Sequence, residues 1–235
     1  MSYTLHELRA ADGAAFSPFC WRARMALAHK GIAPTLRRVR FCDIAHIDGG
    51  ASTVPVLFDQ DFAVRDSWDI ATHLDQRVAG AAPLFPTEGD RRMAGFIQPW
   101  TATQLHLPIF KVIAADIWDA LDVQDQPYFR ESREKRLKAP LESVRENQAA
   151  GIEQLRANLA PLRLLLATQH FLGGEQPTYS DYVVFGALQW ARVISPVALL
   201  EPDDAVQGWF ERCLDLHGGV GRREPAYAER AVTGG

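Results

Sequence analysis

Ser17-Pro18-Phe19-Cys20 is the stretch of this chain best suited to chemistry, because it sets a hydroxyl at the start of a helix. Ser17 stands where an N-cap would, Pro18 suits the first helical turn, and the helical pattern running from Trp21 ends at Gly31. A helix start leaves N–H groups unpaired and carries the positive end of aligned peptide dipoles, so it stabilises a nearby negative charge. Thiolates are among the anions such a site holds. An ordinary helix cap accounts for the same residues, and taken alone the segment favours that. Two further stretches have a similar character. Val54-Pro55 opens a short apolar strand, and Asp66-Ser67 opens an amphipathic helix with a second hydroxyl and an acid. Their plain readings are a strand-start proline and another cap.

Composition narrows the alternatives. The chain has 235 residues, 47% hydrophobic and 23% charged, enough for one large domain or two small ones. Its net charge is −4. Residues 1–80 hold as many basic as acidic side chains and the remainder is acidic, so neither part has the basic excess that nucleic acid demands. No apolar run approaches the roughly 18–20 residues of a membrane span, and the N-terminus lacks a secretory pattern. Three cysteines (Cys20, Cys42 and Cys213) make no disulfide framework, and no metal-ligand spacing occurs among the seven histidines. A reducing cytoplasm is the expected address, with no membrane and no metal.

Hydropathy patterning divides the chain in two. Residues 3–9 alternate as a half-buried strand does, a helix follows Ser17, and residues 35–41 alternate again. Residues 42–52, with Gly49 and Gly50, read as an irregular turn and short helix. Residues 55–58 and 62–64 form two short strands around a turn at Asp59-Gln60-Asp61, and residues 66–78 form a helix. That order is an α+β layer of about 80 residues. Residues 81–90, with Pro83 and Pro86, are a linker, and residues 91–235 show no strand pattern. Helices are expected over 91–121, broken or kinked by Pro99 and Pro108, and over 141–168, kinked or broken at Pro161. Two more follow at 178–193 and 205–216. Residues 128–138 read as a short helix or loop, and the tail from Arg222 as frayed or laid on the surface. Thr178 and Asp181, just ahead of an apolar run, form a capping-box pattern whose role is to register a helix.

Four motifs in this order resemble the glutathione transferase superfamily over nearly the whole chain. They are Ser17-Pro18-Phe19-Cys20 opening the first helix, Thr53-Val54-Pro55 opening the third strand, Asp66-Ser67 opening the next helix, and the capping box in the all-α half. Residues 17–31, 64–71 and 171–182 are most similar to the bacterial β-etherase and fungal etherase-type group. The resemblance implies a thioredoxin-like N-terminal domain, an all-helical C-terminal domain, glutathione as co-substrate in the cleft between them, and a homodimer. It implies that Ser17 holds the glutathione sulfur as thiolate and that Val54, before a cis Pro55, pairs its backbone with the cysteinyl part. Asp66 and Ser67 would take the γ-glutamyl end, and Arg40 or His46 the glycyl carboxylate. The helix over 91–121 would line the electrophile site, and Phe19, Trp100, His106 and Phe110 are the candidates, although their spacing is equally that of core packing.

The scale of the proposed activation is modest. A thiol of pKa about 8.5 is roughly 3% ionised at pH 7, and one of about 6.5 is roughly 75% ionised, a difference of about 2.7 kcal/mol. The leading expectation is therefore a transferase acting on a hydrophobic, aromatic electrophile, with aryl-ether cleavage among its reactions. Two others stand beside it: a catalytically silent binding or assembly protein on the same fold, and a glutathione-dependent oxidoreductase using Cys20. Cys20 sits one helical turn past Ser17, where a buried inert thiol is the expectation.

Overall fold

The computed structural model describes residues 2–47, 50–60 and 62–233, the side chains of 231–233 excepted. Strand β1 (Tyr3–Leu8) lies at the centre of a mixed sheet of order β2-β1-β3-β4. It runs parallel to β2 (Thr35–Val39), pairing Leu5 with Leu36, and antiparallel to β3 (Val56–Asp59), pairing Leu5 with Leu57. β4 (Phe62–Arg65) returns antiparallel beside β3. The parallel crossover is helix α1 (Pro18–His29), and α2 (Ser67–Arg77) follows β4. On one face Leu5, Leu57 and Val64 join the main core with α1 and α2. On the other, Val39, Ile47 and Val56 form a small second core beneath a 3-10 turn at Phe41–His46. This is the thioredoxin-like layer expected, each strand within two residues of its predicted bounds. The expected turn at Asp59-Gln60-Asp61 and the glycine pair fall partly outside the described residues, at Asp61 and Gly49.

The remainder is helical: α3 (Glu88–Thr101), α4 (Leu107–Ala120), α5 (Gln126–Leu137), α6 (Leu141–Glu146), α7 (Gln148–Asn158), α8 (Ala160–Leu166), α9 (Tyr179–Ile194), α10 (Ala205–Gly219) and α11 (Tyr227–Thr233). The segment of residues 81–87 is held in place: Asp75 accepts the Leu84 and Phe85 N–H groups and pairs with buried Lys30 at 2.7 Å. Pro99 and Pro108 do not separate α3 from α4. A π-helical turn, Ala102–His106, joins them instead. Pro108 has no N–H for the carbonyl four residues earlier, and the Asn158 amide supplies that bond to Gln104 at 2.8 Å. The helix expected over 141–168 is interrupted just before Pro161, as the proline implies, and also at Asn147, which was not expected, so it forms three helices. The tail is fastened rather than frayed. Glu224 accepts the Ala15 N–H at 2.8 Å and pairs with Arg24, and Arg230 reaches Asp12 at 3.0 Å.

Helix α9 is the axis of the molecule. Fourteen of its sixteen residues are buried, so the helix is enclosed on nearly all sides, and its buried Asp181 and Gln189 side chains are hydrogen-bonded. Its start is anchored by Asp181, fully buried, which accepts from Thr178 N–H, Leu172 N–H and the Trp209 indole at 2.9, 2.7 and 2.9 Å. Burial pushes this carboxyl's pKa up, and those donors oppose the shift. The capping box therefore anchors α9 to two other segments of the helical half.

Where α9 crosses α1, only a glycine fits. A Cβ on Gly186 would lie 2.4 Å from the Pro18 carbonyl oxygen, a backbone atom that cannot swing aside. Gly186→Ala should therefore cost about 1–3 kcal/mol through overpacking. Gly95→Ala, in α3 with open space around it, should be neutral or stabilise by about 0.5–1 kcal/mol. Urea unfolding of the two variants measures the contrast, and equal costs would refute the close approach.

Candidate functional site

A cleft of about 750 Å³ separates the sheet domain from the helices. Its floor is the start of α1: Phe16, Ser17, Pro18 and Phe19 all line it, and Ala51 to Val54 line one side. Ser17 is the N-cap of α1, with extended backbone and 5% exposure. The Cys20 N–H donates to its Oγ at 3.4 Å, which uses the oxygen as acceptor and leaves the hydroxyl proton to donate elsewhere. Pro18 has no N–H, so Phe19 carries the first free donor of the helix.

Val54 also lines the cleft, and the bond to buried Pro55 is cis. Among the described residues, neither the Val54 N–H nor its carbonyl is hydrogen-bonded. Asp66 caps α2 by accepting from Trp68 N–H at 2.7 Å and has φ of 71°, a conformation costing about 1–3 kcal/mol for a residue with a side chain. Ser67 beside it is buried, and its Oγ has no hydrogen-bond partner among the described residues. The Tyr179 hydroxyl, also buried, neighbours Ser67 Oγ but does not meet hydrogen-bond geometry with it. Two unsatisfied hydroxyls at one helix start are costly, on the order of 1–3 kcal/mol each.

The opposite wall is aromatic. Phe19 meets His106 edge-on at 5.3 Å, His106 meets Trp190 at 5.9 Å, and Trp190 stacks on Phe110 at 5.9 Å and 15°. All four line the cleft. His106 lies in the π-helical turn and is 8% exposed. Burial first, then the charges of Arg22 and Arg136, push its pKa down to about 3, so it is neutral at physiological pH. Arg22 is itself buried on α1. Its Nη2 lies 3.3 Å from His106 Nε2 and its guanidinium sits 4.6 Å above the Phe19 ring. Donation by Arg22 makes Nε2 the acceptor, which assigns the imidazole proton to Nδ1. Asp66 and Tyr179 act on Arg22 from its other neighbours. The start of α1 thus combines a hydroxyl, a free N–H and a buried cation, an arrangement that stabilises an anion.

Six expected residues do not line the cleft: Pro55, Asp66 and Ser67, placed above, and three more. Arg40 is spent on Asp43, at 2.8 and 3.2 Å, and on Gln124 at 2.6 Å, and does not line the cleft. His46 is exposed at the end of the 3-10 turn and is likewise absent from the lining. Trp100 packs half-buried against the core, one residue before the end of α3. Several lining residues were not anticipated: Phe41, Tyr128, Phe129, Arg133, Arg136 and Trp190. A signal existed for three of them. Phe129, Arg133 and Arg136 fall at i, i+4 and i+7, one stripe of one helix. Asp125, also missed, is buried and accepts the Phe41 and Cys42 N–H groups at 3.0 and 2.9 Å, tying the helical domain to the cleft's outer lip.

The chain matches the family model for the glutathione S-transferase N-terminal domain over residues 16–77 and that for the C-terminal domain over residues 93–215. It belongs to the glutathione S-transferase family. Among solved structures it is similar to glutathione transferase GSTFuA3 from Phanerochaete chrysosporium, with 24% identity, a TM-score of 0.74, and coverage of 93% of this chain and 92% of that one. It is also similar to the glutathione S-transferase CsGST63524 of Ceriporiopsis subvermispora, solved in complex with glutathione, with 22% identity, a TM-score of 0.74 and 95% of each chain covered. The Tau class enzyme MiGSTU from mango, Mangifera indica, matches at 20% identity and a TM-score of 0.66, over 99% of this chain and 96% of that one. At these identities the structural likeness speaks for the fold alone.

The neutral His106 has a thermodynamic consequence. An unfolded histidine titrates near pH 6.5, whereas the folded one stays unprotonated to about 3. Between those values the unfolded chain binds the extra proton, so stability falls as pH drops, by up to about 1.4 kcal/mol per pH unit from this residue. In His106→Gln, which keeps an acceptor for Arg22, urea-derived stability between pH 6 and 4.5 should decline less steeply than in the wild type. Equal slopes would mean that the imidazole is not held neutral.

Proposed function

We propose that this protein is a glutathione transferase in which the Ser17 hydroxyl, with the Phe19 N–H beside it, holds the glutathione sulfur as thiolate for attack on a hydrophobic aromatic electrophile. The observation that carries this is the placement of Ser17: its oxygen is engaged as acceptor, its proton is free, and it opens onto a cleft whose far wall is aromatic. The unpaired Val54 backbone would take the cysteinyl part as an added strand does. The γ-glutamyl group would meet Asp66 and the unsatisfied Ser67 hydroxyl. Arg40 and His46 have no part in the scheme. Glutathione, not serine, is the nucleophile: its sulfur bonds to the electrophilic carbon as the leaving group departs with the bonding pair. Arg22 adds a buried positive charge that favours the ionised form.

The fungal neighbour solved with glutathione supports the choice of co-substrate, and the resemblance of residues 17–31, 64–71 and 171–182 to the etherase-type group is the ground for aryl-ether cleavage as one reaction. A homodimer and a cytoplasmic setting complete the proposal on the same family grounds. Among the described residues, no group of potential metal ligands is present and no helix is long and apolar enough to cross a membrane. The oxidoreductase reading fares worse, because Cys20 is 1% exposed, does not line the cleft, and has its thiol pKa pushed up to about 12 by burial.

Ultraviolet difference titration of bound glutathione reads the thiol directly. The wild type should bring its pKa from about 8.5 toward 6.5. Ser17→Ala should return it most of the way and lower kcat/KM for a chloronitrobenzene by roughly 10–100-fold, whereas Cys20→Ala should leave both unchanged. An unshifted thiol pKa in the wild type, or an unaltered one in Ser17→Ala, would sink the assignment.

A further inference from the structure

Among the described residues, two arginines in the cleft lack the acidic partners that their neighbour has. Arg130, on the outer part of α5, pairs with Glu134 and Glu142, each at 2.9 Å. Arg133 and Arg136, one turn further on, both line the cleft, and no aspartate or glutamate lines it among the described residues. The hydrogen bond Arg133 makes is to its neighbour Ser132, at 3.3 Å. Three residues apart, the two guanidinium groups share a helix face, and like charges so placed repel.

Their packing shows what the pair is shaped to receive. Arg133 lies 5.2 Å above the Phe129 ring and 5.7 Å from that of Phe41, and Arg136 lies 5.7 Å from Phe110. A guanidinium held near ring faces by cation–π attraction keeps most of its N–H donors for an acceptor, and the one side-chain hydrogen bond of the pair among the described residues uses a single Arg133 nitrogen. Phe110 is also the ring that stacks on Trp190. The aromatic wall therefore runs unbroken from Phe19, beside Ser17, through His106 and Trp190 to Phe110 and the two arginines. His106 is neutral and gives no competing charge.

We propose that the ligand class of this cleft is an aromatic acid, its ring held against Phe110 and Trp190 and its carboxylate paired with Arg133 and Arg136. This names the electrophile of the transferase reading and rests on that reading for the word electrophile. As a binding site it stands separately. A carboxylate between the two cations cancels their repulsion and gains charge-assisted hydrogen bonds from their free edges. The alternative anion, a carboxylate of glutathione, would give these arginines no use for the ring wall behind them.

Isothermal titration with 2-naphthoate and with 2-naphthamide, a neutral molecule of the same ring and similar size, tests this without turnover. At pH 7 and low salt the wild type should bind naphthoate about 10-fold or more tightly than naphthamide. The Arg133→Gln/Arg136→Gln variant should lose that preference and keep its naphthamide affinity within about 2-fold, and the double lysine variant should regain part of it. Equal binding of the two ligands by the wild type overturns the proposal, and so does a preference that survives in the glutamine variant. A glutamine variant that binds glutathione more weakly, with naphthoate unaffected, assigns the arginines to the tripeptide and overturns it too. If the variant does not fold, the wild-type comparison and its loss in 0.5 M salt decide the matter. The Ser17 titration reads thiol ionisation, so either result can fail while the other stands.

Discussion

The contact between the Pro18 carbonyl and Gly186 is the constraint on which the site depends. It is a backbone-to-backbone approach, closer than any side chain tolerates, and it fixes the first turn of α1 against the middle of α9. Ser17 precedes that turn directly, so its hydroxyl is located by the rigid packing of two buried helices rather than by a loop. Trp190 lies four residues beyond Gly186 on the same face of α9. One contact thereby sets both the candidate anion site and the aromatic wall opposite it. The Trp21 ring, edge-on to Phe185 at 6.1 Å, braces the same two helices, while Asp181 fastens the start of α9 to α10 through the Trp209 indole.

Around that contact the charges are distributed unevenly. The cleft has cationic and neutral groups on its helical side, Arg133, Arg136 and a deprotonated His106, and no carboxylate in its lining among the described residues. Acidic groups near the site are turned to structural work: Asp66 caps α2, and Asp125 closes the 3-10 turn. In a partly desolvated space this imbalance matters more than the overall net charge of −4, because nearby charges act through a lower effective dielectric than distant surface ones. An anion entering the cleft meets a favourable field along its whole length.

The sheet domain was legible in the sequence because its signals are local. Alternation marks the strands, Ser17 and Asp66 mark helix starts by side-chain chemistry, and Thr178 with Asp181 marks α9. Each of these depends on residues within a few positions of one another. The helical domain was harder for a physical reason. Trp100 and Phe110 recur with one helical period, and whether each faces core or cleft depends on the π-helical turn between them, which adds no residue pattern of its own. Pro99 and Pro108 signalled a break, but the Asn158 amide that bridges it comes from a residue some fifty positions away. The tail looked unfixed because its partners, Ala15, Arg24 and Asp12, lie in the other domain.

The two walls of the cleft are built from different kinds of interaction. The α1 side offers backbone N–H groups, a capping hydroxyl and an unpaired strand edge, groups suited to a peptide-like ligand and largely independent of side-chain identity elsewhere. The helical side works through ring faces and guanidinium edges, whose position depends on helix phase and on neighbours distant in sequence. Substituting within α5 or α9 can therefore change what is accepted opposite Ser17 while leaving the helix start intact. A scaffold divided in this way keeps one chemical step and varies its second reactant. That is why a hydroxyl at position 17 could be assigned a role from four short motifs, while Arg133 and Arg136 acquire one only when Phe41, Phe110 and Phe129 are seen beneath them.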